Sequence, residues 1–199
     1  MSNEVHESEI ITGSAGLEVQ LQQFNQLLSS LTERVARSEE NLILVADVYK
    51  YKKLRDLLAA GDLREADWET IWVILAITGQ PDVESITPED MKRFPCDELR
   101  VIDSVWTIYS KGRFGFSVQM QIYQSVGGSL GTTISQDNSV IEQFGDRVGW
   151  RVDGKWQKCD DLDYTLAAPI GCHPSQWWNS PFGSKMTNYF FNRLLMCGL

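Results

Sequence analysis

Long apolar runs and clusters of basic residues are both missing from this chain of 199 residues. No stretch approaches the roughly 20 consecutive apolar residues that a membrane-spanning helix needs. Asp and Glu number 27 against 18 Lys and Arg, and the resulting net charge of −9 argues against nucleic acid as a partner. The N-terminus carries acidic residues and no basic segment, so we expect neither a secretory signal nor a transit peptide. These absences favour a cytoplasmic protein without a membrane span.

Residues that commonly perform catalysis or bind metals are also scarce. No Ser-His-Asp or Cys-His-Asn triad can be argued from two histidines, His6 and His173. An enzymatic interpretation would make Cys172 a nucleophile, but no third group in the sequence orients it. The cysteines lack a CxxC spacing, and we expect reduced thiols, not disulfides or zinc ligands, at Cys96, Cys159, Cys172 and Cys197. We therefore expect a non-enzymatic protein without a protein-bound metal site.

Aromatic residues, by contrast, are abundant. Hydrophobic residues make up 43% of the chain and include seven Trp and eight Phe, which is enough for one domain with a real core. A few cations lie close to this apolar sequence, namely Lys92, Arg93, Arg113 and Arg151. Cations beside apolar walls suit a flat hydrophobic ligand that carries carboxylates.

The N-terminal part of the chain has two regions. Residues 1–15 are polar and aperiodic, and we predict that they are disordered. Apolar residues then recur at alternating steps of four and three, with Ser38 as the one interruption, at Leu17, Leu21, Phe24, Leu28, Leu31, Val35, Leu42 and Val45. Such a stripe could pack on the globular part, but its narrowness favours a coiled coil. We predict a long helix over residues 16–48 that forms a homo-oligomer through residues 17–45.

Residues 49–199 are predicted to be mainly helical. Gly61 ends a first helix, Asp62 caps a second, and residues 184–197 form an amphipathic C-terminal helix. "GWRVDGKWQ" predicts a short β-hairpin with a turn at Asp153 and Gly154. One segment is ambiguous, because apolar and polar residues alternate from Phe114 to Ile122 and this period of two is typical of a strand.

Several motifs resemble the genomes-uncoupled-four family over roughly residues 49–199. In chain order, the matching residues are Phe94-Pro95-Cys96, Ile102-Asp103, Trp106, Phe114-Gly115-Phe116-Ser117-Val118-Gln119, Val148-Gly149-Trp150-Arg151 and Ala168-Pro169. The resemblance implies a mostly α-helical core shaped like a cupped hand, so residues 114–124 are expected to be helical against the local pattern. The fold expected is therefore mainly α, a compact helical core with one short β-hairpin, preceded by the long coiled-coil-like helix.

The resemblance also implies a function. Members of the family bind protoporphyrin and Mg-protoporphyrin and stimulate magnesium chelatase through its large subunit. We accordingly expect residues 49–199 to bind a tetrapyrrole: protoporphyrin IX, Mg-protoporphyrin or a bilin. The alternative is an interaction or signalling adaptor of a cyanobacterial regulatory system that uses the same fold without a ligand.

Candidate site residues follow from the matched motifs. Ring contacts are expected from Phe94, Trp106, Phe114, Phe116 and Trp150, although each of them could also be an ordinary core aromatic. Arg113 or Arg151 is expected to pair with propionates. In this arrangement the tetrapyrrole lies in an apolar cup, with the ring against the aromatic residues and the propionates near its rim.

The loop that closes over the ligand in the family departs from the family pattern here. The family motif Gly-His-Leu-Pro reads Gly171-Cys172-His173-Pro174, which displaces the histidine by one position. The Cys172-His173 pair suggests covalent attachment of a bilin through the thiol, with an unreactive loop cysteine as the alternative. The macrocycle would be covered by Trp177, Trp178 and Asn179.

Overall fold

The computed structural model describes residues 20–34 and 49–199, and the chain divides into two compact units, Met1–Tyr49 and Lys50–Leu199. In the first unit, residues 20–34 are helical. Its large apolar side chains are exposed within the single chain, namely Leu21, Phe24, Leu27, Leu28 and Leu31. The predicted disorder of residues 1–15 and the heptad positions Leu17, Val35, Leu42 and Val45 lie outside the described residues.

The second unit is built from helices of 6–16 residues. They are α1 (49–60), α2 (Leu63–Thr78), α3 (Pro88–Arg93), α4 (Cys96–Tyr109), α5 (Phe116–Ser125), α6 (Leu130–Ser135), α7 (Asn138–Val148) and α8 (Ser184–Cys197). Short 3-10 turns occur at Val83–Ser85, Cys159–Asp161 and Gln176–Trp178. The helix boundaries follow local signals: Gly61 has a φ of 77°, and the Asp62 carboxylate accepts from the backbone N–H of Glu65.

The ambiguous segment is helical, as the family resemblance implies. Helix α5 begins after Gly115, and Asp103 of α4 accepts from both the backbone N–H and the hydroxyl of Ser117. Gln119 is the residue that makes the local pattern misleading, because it is fully buried and its amide donates to the carbonyls of Gly171 and Pro174. The alternating pattern suggests that every polar residue of this segment faces water, as in a half-buried strand. Gln119 instead faces the interior, where both N–H groups of its amide are hydrogen-bonded.

The predicted hairpin is present as β1 (Arg151–Val152) and β2 (Lys155–Trp156), which pair antiparallel. Arg151 is opposite Trp156, and the turn residues Asp153 and Gly154 have φ values of 51° and 75°. A two-residue hairpin turn of type I′ requires positive φ at both of its central residues. The expected mainly α fold with one short hairpin is therefore confirmed.

The expectation of four reduced thiols is wrong for two of them. Cys96, the first residue of α4, forms a disulfide with Cys197, the last residue of α8, across 101 positions of sequence. Spacing could not reveal this pair, because the packing of α8 against α3 and α4 brings the two residues together. Cys159 and Cys172 are free and buried.

Among the helices of residues 20–34 and 49–199, none combines the length and apolarity that crossing a membrane requires.

Candidate ligand-binding site

A cavity of about 420 Å³ lies between α7, the β-hairpin and the start of α8. One part of its wall is apolar, formed by Ile141, Phe144, Trp150, Trp156 and Trp178. The other part is polar and includes Asn138, Glu142, Asn179, Ser180, Ser184 and Thr187. Both the volume and the mixture of aromatic surface with a few polar groups are typical of sites for small organic ligands.

The aromatic wall is a set of packed tryptophans. Trp150 is almost fully buried, and its indole N–H donates to the Cys172 carbonyl at 2.8 Å, which fixes the ring. Trp178 stacks on it with ring centres 5.3 Å apart and planes 14° apart. Trp156 is tilted against Trp178 at 5.4 Å and is 42% exposed. The wall therefore has a rigid base and an outer edge that water reaches.

A glycine in α7 makes room for the outer tryptophan. A Cβ at Gly145 would lie 2.6 Å from two ring atoms of Trp156, closer than van der Waals contact allows. Helix α7 then ends at Gly149, whose φ of 80° turns the chain into the hairpin. The helix and the hairpin are thus in contact where the cavity begins.

A salt-bridge network holds the side of the cavity formed by α7 and β1. The Arg151 guanidinium lies 3.1 Å from Glu142 and donates to both carboxylate oxygens of Asp146 at 2.9 Å. The two acids are one helical turn apart on α7. Only Glu142 lines the cavity.

A second cluster of functional side chains lies inside the protein. Asp67 of α2 is fully buried and accepts from the backbone N–H groups of Ser175 and Gln176 and from the Ser175 hydroxyl. The Tyr164 hydroxyl lies 3.3 Å from Asp67 Oδ2 and 3.1 Å from the Cys159 carbonyl oxygen, so its one proton has two acceptors within reach. His173 lies beside this carboxylate, with 3.5 Å between its Nδ1 and Asp67 Oδ2.

The surroundings of His173 favour the charged form of its imidazole. Burial by itself lowers the pKa of His173, but Asp67 and Cys172 together outweigh burial and raise the pKa to about 10. The other ring nitrogen, Nε2, lies 2.8 Å from the Asp163 carbonyl oxygen and can donate to it, whereas Nδ1 faces the Asp67 carboxylate without a hydrogen bond. The ring also stacks on Tyr164. This His173–Asp67 pair is fully enclosed, so it ties the loop to α2 and offers no open reaction site.

The same enclosure affects the neighbouring ionisable groups. Burial, and next the Asp67 charge, raise the pKa of the Cys159 thiol to about 12. The pKa of the Tyr164 hydroxyl is raised for the same two reasons. Neither group is therefore a nucleophile at neutral pH.

A model of the GUN4-like family, the genomes-uncoupled-four family, matches residues 45–192, about three quarters of the chain. The chain belongs to the GUN4-like family. Among its relatives, the uncharacterized protein ycf53 of Pyropia yezoensis is 31% identical over 142 residues, which are 65% of this chain and 54% of that protein. The tetrapyrrole-binding protein of Arabidopsis thaliana chloroplasts is 33% identical over 75 residues, 37% of this chain and 28% of that protein. The chain thus spans about half, or less, of the length of these curated relatives.

Solved structures of GUN4 share the fold. The ligand-free structure of Arabidopsis thaliana GUN4 superposes with a TM-score of 0.53 at 23% identity, covering 70% of this chain and 93% of that one. The structure of GUN4 from Chlamydomonas reinhardtii gives a TM-score of 0.52 at 24% identity, covering 70% and 86%. The GUN4-like fold of residues 49–199 is therefore shown by sequence and by structure.

In this GUN4-like chain, three of the predicted site residues line the cavity: Trp150, Trp178 and Asn179. Five others are buried in the core away from the cavity wall, namely Phe94, Trp106, Phe114, Phe116 and Trp177. Trp106, for example, donates to the Thr70 hydroxyl, and Trp177 donates to the Pro174 carbonyl. The first four of the five correspond to the core alternative left open by the sequence, whereas Trp177 was expected to cover the macrocycle and lies in the core instead.

The remaining predicted residues also lie outside the cavity wall. Arg113 donates to the Ala168 carbonyl at 2.7 Å, and Arg151 is held by its two acids. Cys172 is 1% exposed and His173 is in the buried cluster. Arg151 is therefore already paired with two carboxylates, whereas the Arg113 guanidinium makes a single hydrogen bond within the described part of the chain and lies outside the cavity wall.

Sequence reasoning missed much of the cavity wall. Trp156 had a visible signal, since it ends the hairpin that the turn motif predicts. Glu142 and Phe144 of α7 had none, because a glutamate on a helix surface and a phenylalanine in a core stripe are ordinary features. Among the described residues, no group of three or more His, Cys, Asp and Glu side chains is placed to hold a metal ion.

Proposed function

We propose that this protein is a non-enzymatic tetrapyrrole-binding protein and that the cavity between α7, the hairpin and α8 holds the ligand. The observation that carries the proposal is the wall of Trp150, Trp156 and Trp178 around a cavity of about 420 Å³. A flat conjugated ligand stacks on such a wall. The Arabidopsis relative is named a tetrapyrrole-binding protein, and this supports the choice of ligand class.

The expected affinity follows from apolar burial. A tetrapyrrole is a large flat ring system, and burying its surface contributes about 25 cal/mol per Å². Loss of rotational and translational freedom and ordering of the cavity edge offset part of this gain. The balance leads us to expect a Kd in the low micromolar range, about −8 kcal/mol.

Aromatic contacts contribute more than the arginines in this proposal. Among the described residues, the cavity wall contains no Lys or Arg, and Arg113 and Arg151 are already engaged within the protein. Ligand carboxylates would then remain in water at the cavity mouth. Replacing Arg113 is expected to change affinity less than replacing Trp178.

The test is a titration with protoporphyrin IX and with biliverdin, following tryptophan quenching and the absorption spectrum of the ligand. Trp178→Ala and Trp156→Ala are expected to weaken binding about tenfold, since an aromatic contact contributes about 1 kcal/mol beyond its buried area. Trp72→Ala is the matched control, because Trp72 is a 56% exposed tryptophan of α2 that does not line the cavity.

Two results would contradict the proposal. If Trp72→Ala weakens binding as much as Trp178→Ala, the ligand does not occupy this cavity. If neither ligand gives a saturable change, the adaptor interpretation, in which the fold acts without a ligand, replaces tetrapyrrole binding.

We propose further that the ligand-bound protein regulates magnesium chelatase through its large subunit, which the family resemblance supports. The test is a reconstituted chelatase assay with and without this protein. We expect stimulation that Trp178→Ala reduces and Trp72→Ala preserves. An unchanged rate with the wild-type protein would separate this chain from chelatase regulation.

We also propose that the N-terminal helix forms a coiled coil with further copies of this chain. Leu21, Phe24, Leu28 and Leu31 form an exposed stripe at heptad spacing, and burying such a stripe between copies is favourable. Leu28→Glu with Leu31→Glu is expected to give a monomer in light scattering, whereas Gln26→Glu, opposite the stripe, leaves the oligomer intact. A monomeric wild-type protein would end this proposal.

A further inference from the structure

The charge inside the cavity is the starting point. Among the described residues that line it, Glu142 is the one ionisable side chain, so the one charged group of the cavity wall is an anion. Its Oε2 lies 3.1 Å from the Arg151 Nη2. No hydrogen bond to its other oxygen, Oε1, occurs within residues 20–34 and 49–199, and the side chain is 50% exposed. One carboxylate oxygen is thus available to a ligand in the cavity.

Arg151 acts on Glu142 as a positioning residue. Both carboxylate oxygens of Asp146 accept hydrogen bonds from Arg151, so the position of the guanidinium does not depend on Glu142 alone. The fixed cation holds the Glu142 carboxylate at the cavity edge, near the tryptophan wall. Asp146 shares the cation but does not line the cavity.

The chemistry of this carboxylate discriminates between ligand shapes. A carboxylate accepts charge-assisted hydrogen bonds, which are about twice as strong as neutral ones. In a closed porphyrin the pyrrole N–H groups point to the ring centre, where a side chain at the edge of the macrocycle cannot reach them. In an open-chain tetrapyrrole the ring is broken, and the N–H groups are accessible from the side.

We infer that Glu142 makes this cavity selective for an open-chain tetrapyrrole, by accepting hydrogen bonds from its pyrrole N–H groups. The inference rests on the proposed function, since it assigns the ligand of the same cavity. The described cavity wall contains no Lys or Arg, and this supports the inference. Such a wall binds the N–H groups of a ligand through Glu142 and leaves the ligand carboxylates in water.

The test compares biliverdin with protoporphyrin IX on three proteins. Wild type is expected to bind biliverdin more tightly than protoporphyrin IX. Glu142→Gln keeps the shape but removes the charge, so the Kd for biliverdin rises about tenfold while the Kd for protoporphyrin IX changes less than about twofold. Glu84→Gln, the same substitution at an exposed glutamate outside the cavity, keeps the wild-type preference.

The absorption spectrum gives a second readout that a merely structural role would not change. A carboxylate beside the N–H groups stabilises the protonated form of the bound chromophore, so the long-wavelength band of biliverdin is expected to shift to the red on binding. Glu142→Gln loses this shift, whereas Glu84→Gln retains it.

The outcomes separate the two proposals. If Glu142→Gln binds both ligands as wild type does, or loses both equally, the inference about Glu142 is overturned while tetrapyrrole binding stands. If wild type prefers protoporphyrin IX, the inference is likewise overturned. If wild type binds neither ligand, the proposed function itself fails.

Discussion

The loop of residues 171–179 has two ends in different environments. At one end, Cys172, His173 and Ser175 are buried, and His173 and Ser175 are held by Asp67 of α2. At the other end, Trp178 and Asn179 line the aromatic cavity. The first end resembles a structural anchor and the second a binding surface. Within one short loop, we therefore expect stability and the proposed ligand binding to depend on different residues, so that single substitutions should separate them.

The largest effect is expected from breaking the anchor. Asp67→Ala removes the acceptor of three hydrogen-bonded groups of the loop and leaves the His173 charge buried without a partner. We expect the free energy of unfolding to fall by about 3–5 kcal/mol, as for other broken buried ion pairs. Denaturant unfolding measures it. Asp160→Ala, at a largely exposed pair with Arg64, is the control and should cost less than about 1 kcal/mol.

A second substitution tests whether the far end of α8 matters for the cavity. Ser184 and Thr187, near the start of α8, line the cavity, whereas Cys197 at its end is bonded to Cys96. Cys197→Ser is expected to lower stability by about 2–4 kcal/mol because the disulfide closes a long loop. Ligand affinity should stay within about twofold. A reducing agent should destabilise the wild type and leave the variant unchanged; equal sensitivity would argue against the bond.

The charge of His173 predicts a pH dependence. Its pKa is raised to about 10 in the folded protein, against about 6.5 in the unfolded chain. The folded state therefore binds one more proton between these values, so the ion pair contributes fully below pH 6.5 and is lost as the pH rises towards 10. Between pH 6.5 and 8.5 stability should fall by about 1 kcal/mol per pH unit.

Direct titration checks the same point. In His6→Gln the only imidazole is that of His173, whose NMR signals should not titrate between pH 5 and 8.5. A midpoint near 6.5 would show that Asp67 does not hold the ring in its charged form. Unfolding above pH 9 is a poorer test, because Cys159 and Tyr164 contribute there as well.

On the cavity side, Gly145→Ala separates helix stability from ligand binding. Alanine favours a helix over glycine by up to about 1 kcal/mol, so the protein should remain folded. The new Cβ displaces the Trp156 ring, and affinity for protoporphyrin IX should fall by about threefold to tenfold. Gly131→Ala in α6, where a Cβ meets only the Ser129 hydroxyl at 3.6 Å, should leave affinity unchanged.

The smallest effect is expected at Cys172. The thiol is 1% exposed and is not part of the cavity wall, so a bilin in the cavity should not be attached through it. Biliverdin should therefore fail to comigrate with the protein on a denaturing gel. A coloured band that disappears in Cys172→Ala would restore the hypothesis of covalent attachment.

The sequence by itself determined the helical architecture of residues 49–199. Caps and turns such as Asp62, Gly61 and Asp153-Gly154 act over a few residues, so they can be recognised without a fold. The order of the family motifs determined the family and decided that α5 is a helix. That decision was needed because Gln119 is buried by hydrogen bonds to a loop some 50 residues away.

Only the tertiary structure decided which aromatic residues face a cavity. Trp177 and Trp178 are neighbours in sequence, yet one packs on Phe190 in the core and the other stacks on Trp150 at the cavity. An aromatic residue that packs in the core and one that lines a ligand cavity have the same pattern in the sequence. The same holds for three other features: the Cys96–Cys197 bond, the His173–Asp67 pair and the position of Glu142 at the cavity. Each depends on segments that come into contact only after folding, because long-range packing sets these distances and no local pattern encodes them.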